Sequence, residues 1–289
     1  MIIAIASGKG GTGKTTVATS LALSIADKAP LFLDCDVEEP NAALFLRPKL
    51  DHRQEVGVPI PHIDPERCTY CGRCAQVCVW HVIGVVGQKV LVFPELCHGC
   101  GSCTLNCPEG AISELLGVRG SLESGRAGPI LFGQVTLDVG QAMAVPVIRQ
   151  LKHKHLPAAN GAVVILDSPP GTACPVVETM RGADFVLLVT EPTPFGLHDL
   201  RLAVQVARDG LGLPVGVVIN RDGAGDAGVD DYCAAEGLPI LLRIPHDRRI
   251  AEAISEGKTL IEALPGYRSR FAGLYERIVK AAASREDGR

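Results

Sequence analysis

The chain opens with a glycine-rich loop between an apolar strand and a helix, and this arrangement constrains the fold more than any other feature. Residues 2–6 (IIAIA) predict a short buried strand because all five are apolar. Residues 8–15 then match G-x-x-x-x-G-K-[ST], and apolar residues recur at helical spacing from Val17 to Ile25. Glycines let backbone N–H groups approach phosphate oxygens, and a helix N-terminus adds positive potential. The segment therefore predicts a phosphate-binding loop at the start of an α/β fold.

The loop supplies candidate ligands for a nucleotide and its metal ion. Lys14 is predicted to contact the β- and γ-phosphates, and the Thr15 hydroxyl is predicted to hold Mg²⁺. The candidate nucleotide-binding residues of the loop are Gly8, Lys9, Gly10, Gly11, Thr12, Gly13, Lys14, Thr15 and Thr16.

Lys9 makes the loop more specific. The form K-G-G-x-G-K-T, from Lys9 to Thr15, resembles the deviant Walker A loop of the MinD/ParA/Mrp family of P-loop ATPases, which includes the nitrogenase iron protein. The resemblance implies that Lys9 reaches across a dimer to the partner's nucleotide, so a homodimer with ATP is expected. The alternative role for Lys9 is that of a solvated loop lysine.

Two further apolar segments end in aspartate. Residues 31–36 (LFLDCD) and 162–167 (AVVILD) each predict a buried strand, and aspartates at one sheet edge indicate a ligand crevice. These segments resemble switch I and the Walker B strand of the same family. The resemblance implies that Asp34 and Asp167 lie near Mg²⁺ and that Asp36 orients or activates the attacking water. The candidate catalytic residues are Lys9, Lys14, Asp36 and Asp167.

Later segments offer a binding site for the base. Asn220 follows a predicted apolar strand at residues 215–219. In the family an asparagine at this position contacts the adenine, so Asn220 is a candidate for base binding, and Glu191 and Pro192 are expected in the same pocket. The resemblance also implies that Gly171, beyond the Walker B strand, senses the γ-phosphate.

Eight of the eleven cysteines lie between Cys68 and Cys107, in two runs with the spacing C-x2-C-x2-C-x3-C. Every cysteine of the second run lies 29 residues after its counterpart, which is an internal repeat. Zinc sites usually separate two C-x2-C pairs by a longer spacer, and disulfides are not expected in a chain without a secretory signal. Three cysteines at intervals of three residues suit an iron–sulfur cluster better, and Pro108 completes the bacterial ferredoxin pattern.

The segment from about residue 62 to 115 resembles the bacterial ferredoxin module that holds two 4Fe–4S clusters. In that family the fourth cysteine of each run ligates the other cluster. The resemblance implies one cluster held by Cys68, Cys71, Cys74 and Cys107. It implies a second cluster held by Cys97, Cys100, Cys103 and Cys78. One departure is Val79, where the family usually has proline. Apolar residues between the runs are expected to form a small hairpin around Gly87.

The cysteine segment interrupts the nucleotide-binding pattern. We expect a doubly wound, mostly parallel α/β sheet of the P-loop NTPase class formed by residues 1–60 and 116–289. A small α+β, bacterial ferredoxin-like domain is expected as an insertion at residues 61–115. Proline and glycine residues at 57–61 mark the start of the insertion. The glycine-rich stretch 117–128 at its end predicts a mobile connection.

Composition excludes several classes of partner. The formal net charge is −4 and aromatic residues make up 4% of the chain, so neither nucleic acid nor anionic lipid is expected to bind. No stretch reaches the roughly 18 apolar residues of a membrane span, and the N-terminus lacks the pattern of a signal peptide. The C-terminal helical pattern ends in the polar residues 284–289, which favours packing on the sheet over membrane binding. A cytoplasmic protein is expected.

Three cysteines lie outside the two runs. Cys174 lies seven residues after Asp167, as a cluster ligand of the nitrogenase iron protein does, but no obvious second cysteine accompanies it. A structural or redox role near switch II is the alternative for Cys174. Cys35 lies between the two switch I aspartates, and Cys233 is expected to be a buried residue of a helix.

Three functions fit this combination. The first is an ATPase, slow and stimulated by its partner, whose nucleotide state gates electron transfer from two clusters to a redox partner. The second is an ATP-dependent factor that assembles or delivers iron–sulfur or other metal cofactors, as Mrp-like proteins do, although the chain lacks their C-terminal C-x-x-C. The third is a spatial switch of the MinD/ParA kind with the ferredoxin module as a sensor. A flexible tether between two independent domains is the alternative to coupling.

Overall fold

The computed structural model describes residues 1–159 and 161–283, so the polar residues 284–289 lie outside the described part. The chain forms two compact units. Unit 1 comprises residues 1–53, 122–136 and the described residues from 148 onward, and unit 2 comprises residues 54–121 and 137–147. Unit 2 includes all of residues 61–115 and extends beyond them at both ends.

Strands and helices alternate through most of unit 1. The strands are β1 (Ile2–Ala6), β2 (Leu31–Asp34), β3 (Lys49–Ile63), β4 (Ile83–Val86), β5 (Lys89–Val92), β6 (Ile112–Ala127), β7 (Ile130–Leu137), β8 (Val164–Asp167), β9 (Phe185–Thr190), β10 (Val215–Asp222) and β11 (Ile240–Pro245). The helices are α1 (Lys14–Ser24), α2 (Ala42–Leu46), α3 (Arg73–Val77), α4 (Ser102–Leu105), α5 (Ala144–His155), α6 (Cys174–Met180), α7 (Pro194–Val204), α8 (Gly228–Ala235), α9 (Arg248–Ser255), α10 (Leu260–Ala263) and α11 (Tyr267–Ala283). The strands predicted at residues 2–6, 31–36, 162–167 and 215–219 are confirmed, with ends shifted by a few residues.

One sheet has the strand order β11-β10-β9-β1-β8-β2-β7-β6-β3, and its last two strands, β6 and β3, contain residues of both units. The pairs from β11 to β7 are parallel, as predicted. Ile3 and Ile5 pack in one apolar core with residues of α1 and α11, so Ala4 points to the opposite face. Helix α6 contacts β1. Helices therefore cover both faces, and the doubly wound sheet is confirmed.

The segments at both ends of the cysteine region form strands, which the glycine and proline pattern did not predict. Residues 57–61 belong to β3, and most of the stretch 117–128 belongs to β6. The glycine-rich end of the cysteine region is thus a strand and not an irregular loop. Glycine at position 125 allows the backbones of β6 and β3 to lie close together, because a Cβ on this residue would overlap the carbonyl oxygen of Lys49.

Unit 2 contains the predicted hairpin. Strands β4 and β5 pair antiparallel, and Gly87 between them has φ of 57°, a left-handed conformation that glycine adopts freely. The prediction of a hairpin around Gly87 is confirmed. The small core of unit 2 consists of the buried residues Cys78, Val82, Ile83, Cys97, Cys103 and Ile112.

The 29-residue repeat extends from the cysteines to the backbone of unit 2. Helices α3 and α4 begin at equivalent positions of the repeat. Left-handed backbone conformations recur at the same spacing. The equivalent pairs are Tyr70 and Gly99, Gly72 and Gly101, and His81 and Gly110. The two halves of the repeat therefore adopt the same local structure.

The C-terminal helix packs on the sheet. In α11 the side chains of Phe271, Leu274 and Ile278 are fully buried in the core of unit 1, which confirms the packing role expected for this helix. No helix in residues 1–159 and 161–283 is both long and apolar enough to cross a membrane.

Candidate functional sites

A cavity of about 660 Å³ lies at the carboxyl ends of the parallel strands in unit 1. Ligand pockets typically enclose about 300–1,000 Å³, so a nucleotide fits this volume. The predicted site residues that line it are Gly10, Gly11, Gly13, Lys14, Thr15, Thr16, Asp36, Glu191 and Asn220. The predicted site residues outside its lining are Gly8, Lys9, Thr12, Asp34, Asp167 and Pro192.

The loop turns into α1 at Gly13. Gly13 and Gly11 have φ of 93° and 76°, a backbone conformation that favours glycine. A Cβ at Gly13 would overlap the side-chain nitrogen of Asn220. That amide donates a hydrogen bond to the carbonyl oxygen of Thr12 at 2.8 Å. The predicted base-binding residue at the end of β10 therefore contacts the phosphate-binding loop itself.

Lys14 lies among carboxylates. It is the first residue of α1 and its exposed fraction is 7%. Burial lowers the pKa of Lys14, and the nearby charges of Asp167 and Asp36 oppose that change. A buried ammonium group of this kind has little water around it, so it interacts strongly with an anionic phosphate.

Asp34 and Asp167 occupy paired positions on the neighbouring strands β2 and β8, and both are buried. The Asp34 carboxylate accepts hydrogen bonds from the backbone N–H groups of Asp36 at 3.1 Å and Ala42 at 3.0 Å. Neither carboxylate oxygen of Asp167 accepts a hydrogen bond of ordinary geometry from the described residues. Two adjacent buried carboxylates, one of them without donors, suit a divalent cation.

The titration behaviour of the pair agrees with this interpretation. Burial raises the pKa of Asp167 to about 7, although the Thr15 hydroxyl and the Lys14 charge oppose the change. The hydroxyl lies near the carboxylate without meeting ordinary hydrogen-bond geometry. Burial, reinforced by the Asp167 charge, raises the pKa of Asp34 well above its usual range. A cation held by Thr15 and the two carboxylates would favour the ionised forms.

Lys9 forms an ion pair within its own chain. Its Nζ lies 3.3 Å from Oε2 of Glu191, and the other carboxylate oxygen, Oε1, lies 2.6 Å from a guanidinium nitrogen of Arg221. Glu191 directly follows β9, and its side chain is 9% exposed. Glu191 thus joins Lys9 and Arg221 beside the cavity. The role of Lys9 across a dimer stays a prediction, and it requires Lys9 to leave Glu191.

Helix α6 begins just beyond the predicted switch II and is held at its far end. Gly171 donates its backbone N–H to the carbonyl oxygen of the loop residue Ser7 at 3.2 Å. At the other end, the buried ammonium group of Lys152 in α5 donates to three carbonyl oxygens. They belong to Glu178 (2.6 Å), Thr179 (3.0 Å) and Arg181 (2.7 Å). A positive charge at the end of α6 also complements the helix dipole.

The motifs did not predict one wall of the nucleotide cavity. His246 and Asp247 after β11, together with Ile250 and Ile254 of α9, line this wall. The signal that could have found them is the position of β11, because its carboxyl end meets the same sheet edge as the other parallel strands.

Two small cavities in unit 2 gather the eight repeated cysteines into two sets. We name them site A and site B. Site A is lined by Cys68, Cys71, Cys74 and Cys107, and site B by Cys78, Cys97, Cys100 and Cys103. Among the described residues, no group of His, Cys, Asp or Glu side chains converges closely enough to hold a single metal ion. A four-iron cluster is larger than one ion, so its ligands stand further apart.

Backbone N–H groups point at one sulfur in each site. Val82 donates to Sγ of Cys78 at 3.4 Å, and Ala111 donates to Sγ of Cys107 at 3.3 Å. The two bonds occupy equivalent positions of the repeat. Hydrogen bonds to cysteine sulfurs stabilise thiolates and set the potentials of iron–sulfur clusters. The donor arrangement and the four thiols of each site therefore fit a 4Fe–4S cluster.

The remaining cysteines differ in exposure. Cys35 and Cys233 are buried, and burial raises the pKa of both thiols, that of Cys233 to about 11. Buried protonated thiols are poor nucleophiles. The expectation that Cys233 is a buried residue of a helix is confirmed by its position in α8. Cys174, in contrast, is exposed at the first position of α6.

Proteins with similar sequences include two from Methanocaldococcus jannaschii. The uncharacterized protein MJ0579 is 31% identical over 277 residues, which cover 91% of this chain and 92% of that protein. The uncharacterized ATP-binding protein MJ0169 is 25% identical over 268 residues, which cover 91% of this chain and 81% of that protein.

Solved structures of the cell-division protein MinD share the fold. MinD from Pyrococcus horikoshii, complexed with Mg-ADP, superposes with a TM-score of 0.55 at 20% identity over 97% of this chain and 96% of that chain. The MinD ATPase from Pyrococcus furiosus superposes with a TM-score of 0.55 at 22% identity over 96% of this chain and 98% of that chain.

The family described as the CobQ/CobB/MinD/ParA nucleotide binding domain matches residues 3–261. Because this match spans most of the chain, the chain belongs to this family.

Proposed function

We propose that the protein is an ATPase that carries two 4Fe–4S clusters and whose nucleotide state gates electron transfer from the clusters to a redox partner. The single observation that carries the proposal is the separation of the eight repeated cysteines into two sets of four in unit 2, in a chain whose unit 1 holds a nucleotide cavity. Family membership supports nucleotide binding. The donor set in each site supports the clusters, which supply one-electron transfer when bound.

The hydrolytic roles follow from the positions of the charged groups. Lys14 holds the β- and γ-phosphates, while Thr15, Asp34 and Asp167 hold Mg²⁺. Asp36 lines the cavity and orients the attacking water. Burial raises the pKa of Asp36, which makes it a better proton acceptor near neutral pH than an ordinary aspartate. Asp36 is the one group to which we give the role of positioning the water. We therefore expect hydrolysis to be slow until a partner stimulates it.

ATP-dependent dimerisation belongs to the same proposal. Lys9 reaches the nucleotide of a second copy only after its ion pair with Glu191 breaks. The γ-phosphate of the partner's nucleotide offers Lys9 a stronger negative charge than a carboxylate does. The resulting interface is isologous, because each copy contributes the same patch.

The gating is tested by the affinity of the protein for ATP in two redox states. Strands β3 and β6 each contain residues of both units, so the chain connects the cysteine sites to the nucleotide-binding unit through two ordered segments. Thermodynamic linkage makes the coupling reciprocal. If reduction of the clusters changes the affinity for ATP by some factor, ATP changes the equilibrium constant of cluster reduction by the same factor. We expect a change of about 5- to 150-fold between oxidised and dithionite-reduced protein, measured by anaerobic calorimetry. Equal affinities would refute gating and favour a flexible tether.

A second candidate function is delivery of iron–sulfur clusters to an acceptor protein. The observation that favours it is the exposure of Cys71 in site A and Cys100 in site B, because a surface ligand is accessible to an incoming thiol. Incubation with an apo-ferredoxin, with and without ATP, separates the functions. ATP-dependent loss of iron to the acceptor supports delivery, and retention of iron with altered ATP affinity on reduction supports gating.

A further inference from the structure

The 29-residue repeat allows the surfaces around sites A and B to be compared position by position. Five exposed residues flank the cysteines of each site. The rim of site B consists of Val79, Trp80, Leu96, His98 and Leu105. The equivalent residues at site A are Pro108, Glu109, Arg67, Thr69 and Gln76. The rim of site B is therefore apolar and aromatic, whereas the rim of site A is mostly polar and includes charged residues.

The apolar side chains of the site B rim are strongly exposed. The exposed fractions are 86% for Leu105, 78% for Val79, 61% for Leu96 and 52% for Trp80. The Trp80 ring stacks on His98 with ring centroids 3.5 Å apart and planes 9° apart. Both rings also line the cavity of site B. A flat aromatic surface thus adjoins the cysteines on one side of this site.

The site A rim shows that the fold does not require apolar residues at these positions. There Arg67 donates a hydrogen bond to the carbonyl oxygen of Glu109 at 2.9 Å, while the backbone follows the same course as at site B. Exposed apolar side chains that flank the cysteines of one site, where the equivalent residues of the other site are polar, indicate an interaction surface. The two halves share one local structure, so the apolar residues of the site B rim are not needed for folding. We infer that they contact a partner molecule.

We propose that the site B rim is the docking surface for a redox protein that presents an uncharged, apolar face around its own redox centre. The inference rests on the proposed function, because site B must hold a cluster for electrons to pass there. In each encounter one electron passes from a reduced cluster to the partner's oxidised centre, and no bond forms or breaks. None of the five rim residues carries a permanent charge, so burial of apolar surface holds the complex. Glu114 also lines the cavity of site B, and its carboxylate accepts a hydrogen bond from the Thr104 hydroxyl at 2.7 Å. Electron-transfer encounters are small, below about 1,200 Å² of buried area.

A second copy of the protein is the probe, because its own site B rim is a face of the stated kind. Oxidised protein is mixed with reduced protein that contains isotopically labelled iron, without nucleotide, and Mössbauer spectroscopy of frozen samples follows the exchange of electrons between copies. The variant Leu105→Arg places like charges on two facing rims. The matched control is Gln76→Arg, which makes the same change of charge at the equivalent position of site A.

We expect Leu105→Arg to slow electron exchange by about tenfold, because like charges oppose the encounter, and added salt to restore much of the rate by screening. Gln76→Arg should exchange at nearly the wild-type rate. Static light scattering supplies a readout that does not depend on redox activity. The second virial coefficient should become more repulsive in Leu105→Arg than in Gln76→Arg.

The outcomes separate the two proposals. Equal exchange rates and equal virial coefficients in the two variants, with full iron content, would overturn the docking surface and leave the proposed function standing. A chain that binds far fewer than about eight iron atoms would overturn the proposed function, and the docking surface with it.

Discussion

Replacing Asp167 with asparagine should stabilise the metal-free protein. Asp167 is buried beside Asp34, and its oxygens accept no hydrogen bond of ordinary geometry from the described residues. In the absence of Mg²⁺, its ionised form is therefore poorly compensated. Asparagine removes this charge while keeping nearly the same shape. Asp167→Asn therefore removes the free-energy cost of a buried, uncompensated carboxylate, which Mg²⁺ would otherwise offset.

The size of the effect follows from the pKa. Burial raises it from 3.8 to about 7, roughly three units, which corresponds to about 4 kcal/mol at a pH above 7. The asparagine amide leaves a buried donor whose desolvation costs about 1–3 kcal/mol. The net stabilisation is therefore about 1–3 kcal/mol. A unit of this size shifts its melting temperature by about 2–4 °C for each kcal/mol.

The pH dependence has a definite sign. The folded-state pKa of Asp167 lies above the unfolded value, so between about pH 4 and pH 7 the unfolded chain has lost a proton that the folded protein retains. The stability of the wild-type protein should fall as the pH rises through this window. Asp167→Asn should lack that part of the fall. It should therefore be the more stable protein at pH 8 and lose this advantage at pH 4, where only the cost of the buried amide donor remains.

Scanning calorimetry in EDTA at pH 8 and at pH 5 measures the difference. Asp27→Asn, at an exposed aspartate of unit 1, is the control and should leave the transition unchanged. Trp80 is the single tryptophan of the chain and lies in unit 2, so its fluorescence follows that unit separately. Mg²⁺ with nucleotide should reverse the order and favour the wild type. Lower stability of Asp167→Asn at pH 8 in EDTA would refute the reasoning.

Three further predictions concern the phosphate-binding lysine, the Lys9 ion pair and the close strand pairing at Gly125. Lys14→Ala should abolish ATP binding in calorimetry, because the buried charge that holds the phosphates is lost; retained micromolar affinity would contradict its assignment. Lys9→Ala should prevent ATP-dependent dimerisation in light scattering while preserving ATP binding, whereas Glu191→Gln should promote dimerisation because it frees Lys9; unchanged dimerisation in both would show that Lys9 does not act in trans. Gly125→Ala should destabilise the protein by about 1–3 kcal/mol, because its Cβ overlaps the paired strand. Gly266→Ala, where a Cβ meets open space, should melt near the wild-type temperature.

The nucleotide site was largely predictable because its parts are local. A run of apolar residues followed by aspartate places a carboxylate at a strand end, and parallel strands bring such ends to one edge. This reasoning predicts that Asp34 and Asp167 lie at a ligand crevice, and their strands pair as expected. Their assignment to Mg²⁺ follows from the resemblance to the family. The spacing of the cysteines predicts the two runs, whereas the exchange of the fourth cysteine between the runs follows from the resemblance to bacterial ferredoxins. The linings of sites A and B agree with that exchange.

Contacts between distant segments were not predictable in the same way. Gly125 in a glycine-rich stretch indicates flexibility until the strand that passes beside it is known, since only the pairing shows that a side chain would not fit. Likewise, the pairing of Lys9 with Glu191 joins residues far apart in sequence. No short pattern distinguishes a lysine held by its own chain from one that extends into solvent.

The unequal attachment of α6 has a mechanical consequence. One hydrogen bond from Gly171 links the segment before the helix to the loop, whereas three bonds from a buried ammonium group hold its far end. A displacement of Gly171 by a phosphate should therefore rotate α6 about Lys152 and not translate it. In such a rotation the helix would be a lever arm of about 10 Å, from seven residues at about 1.5 Å each. Its largest excursion falls at the exposed thiol of Cys174, where a spectroscopic label would register the nucleotide state directly.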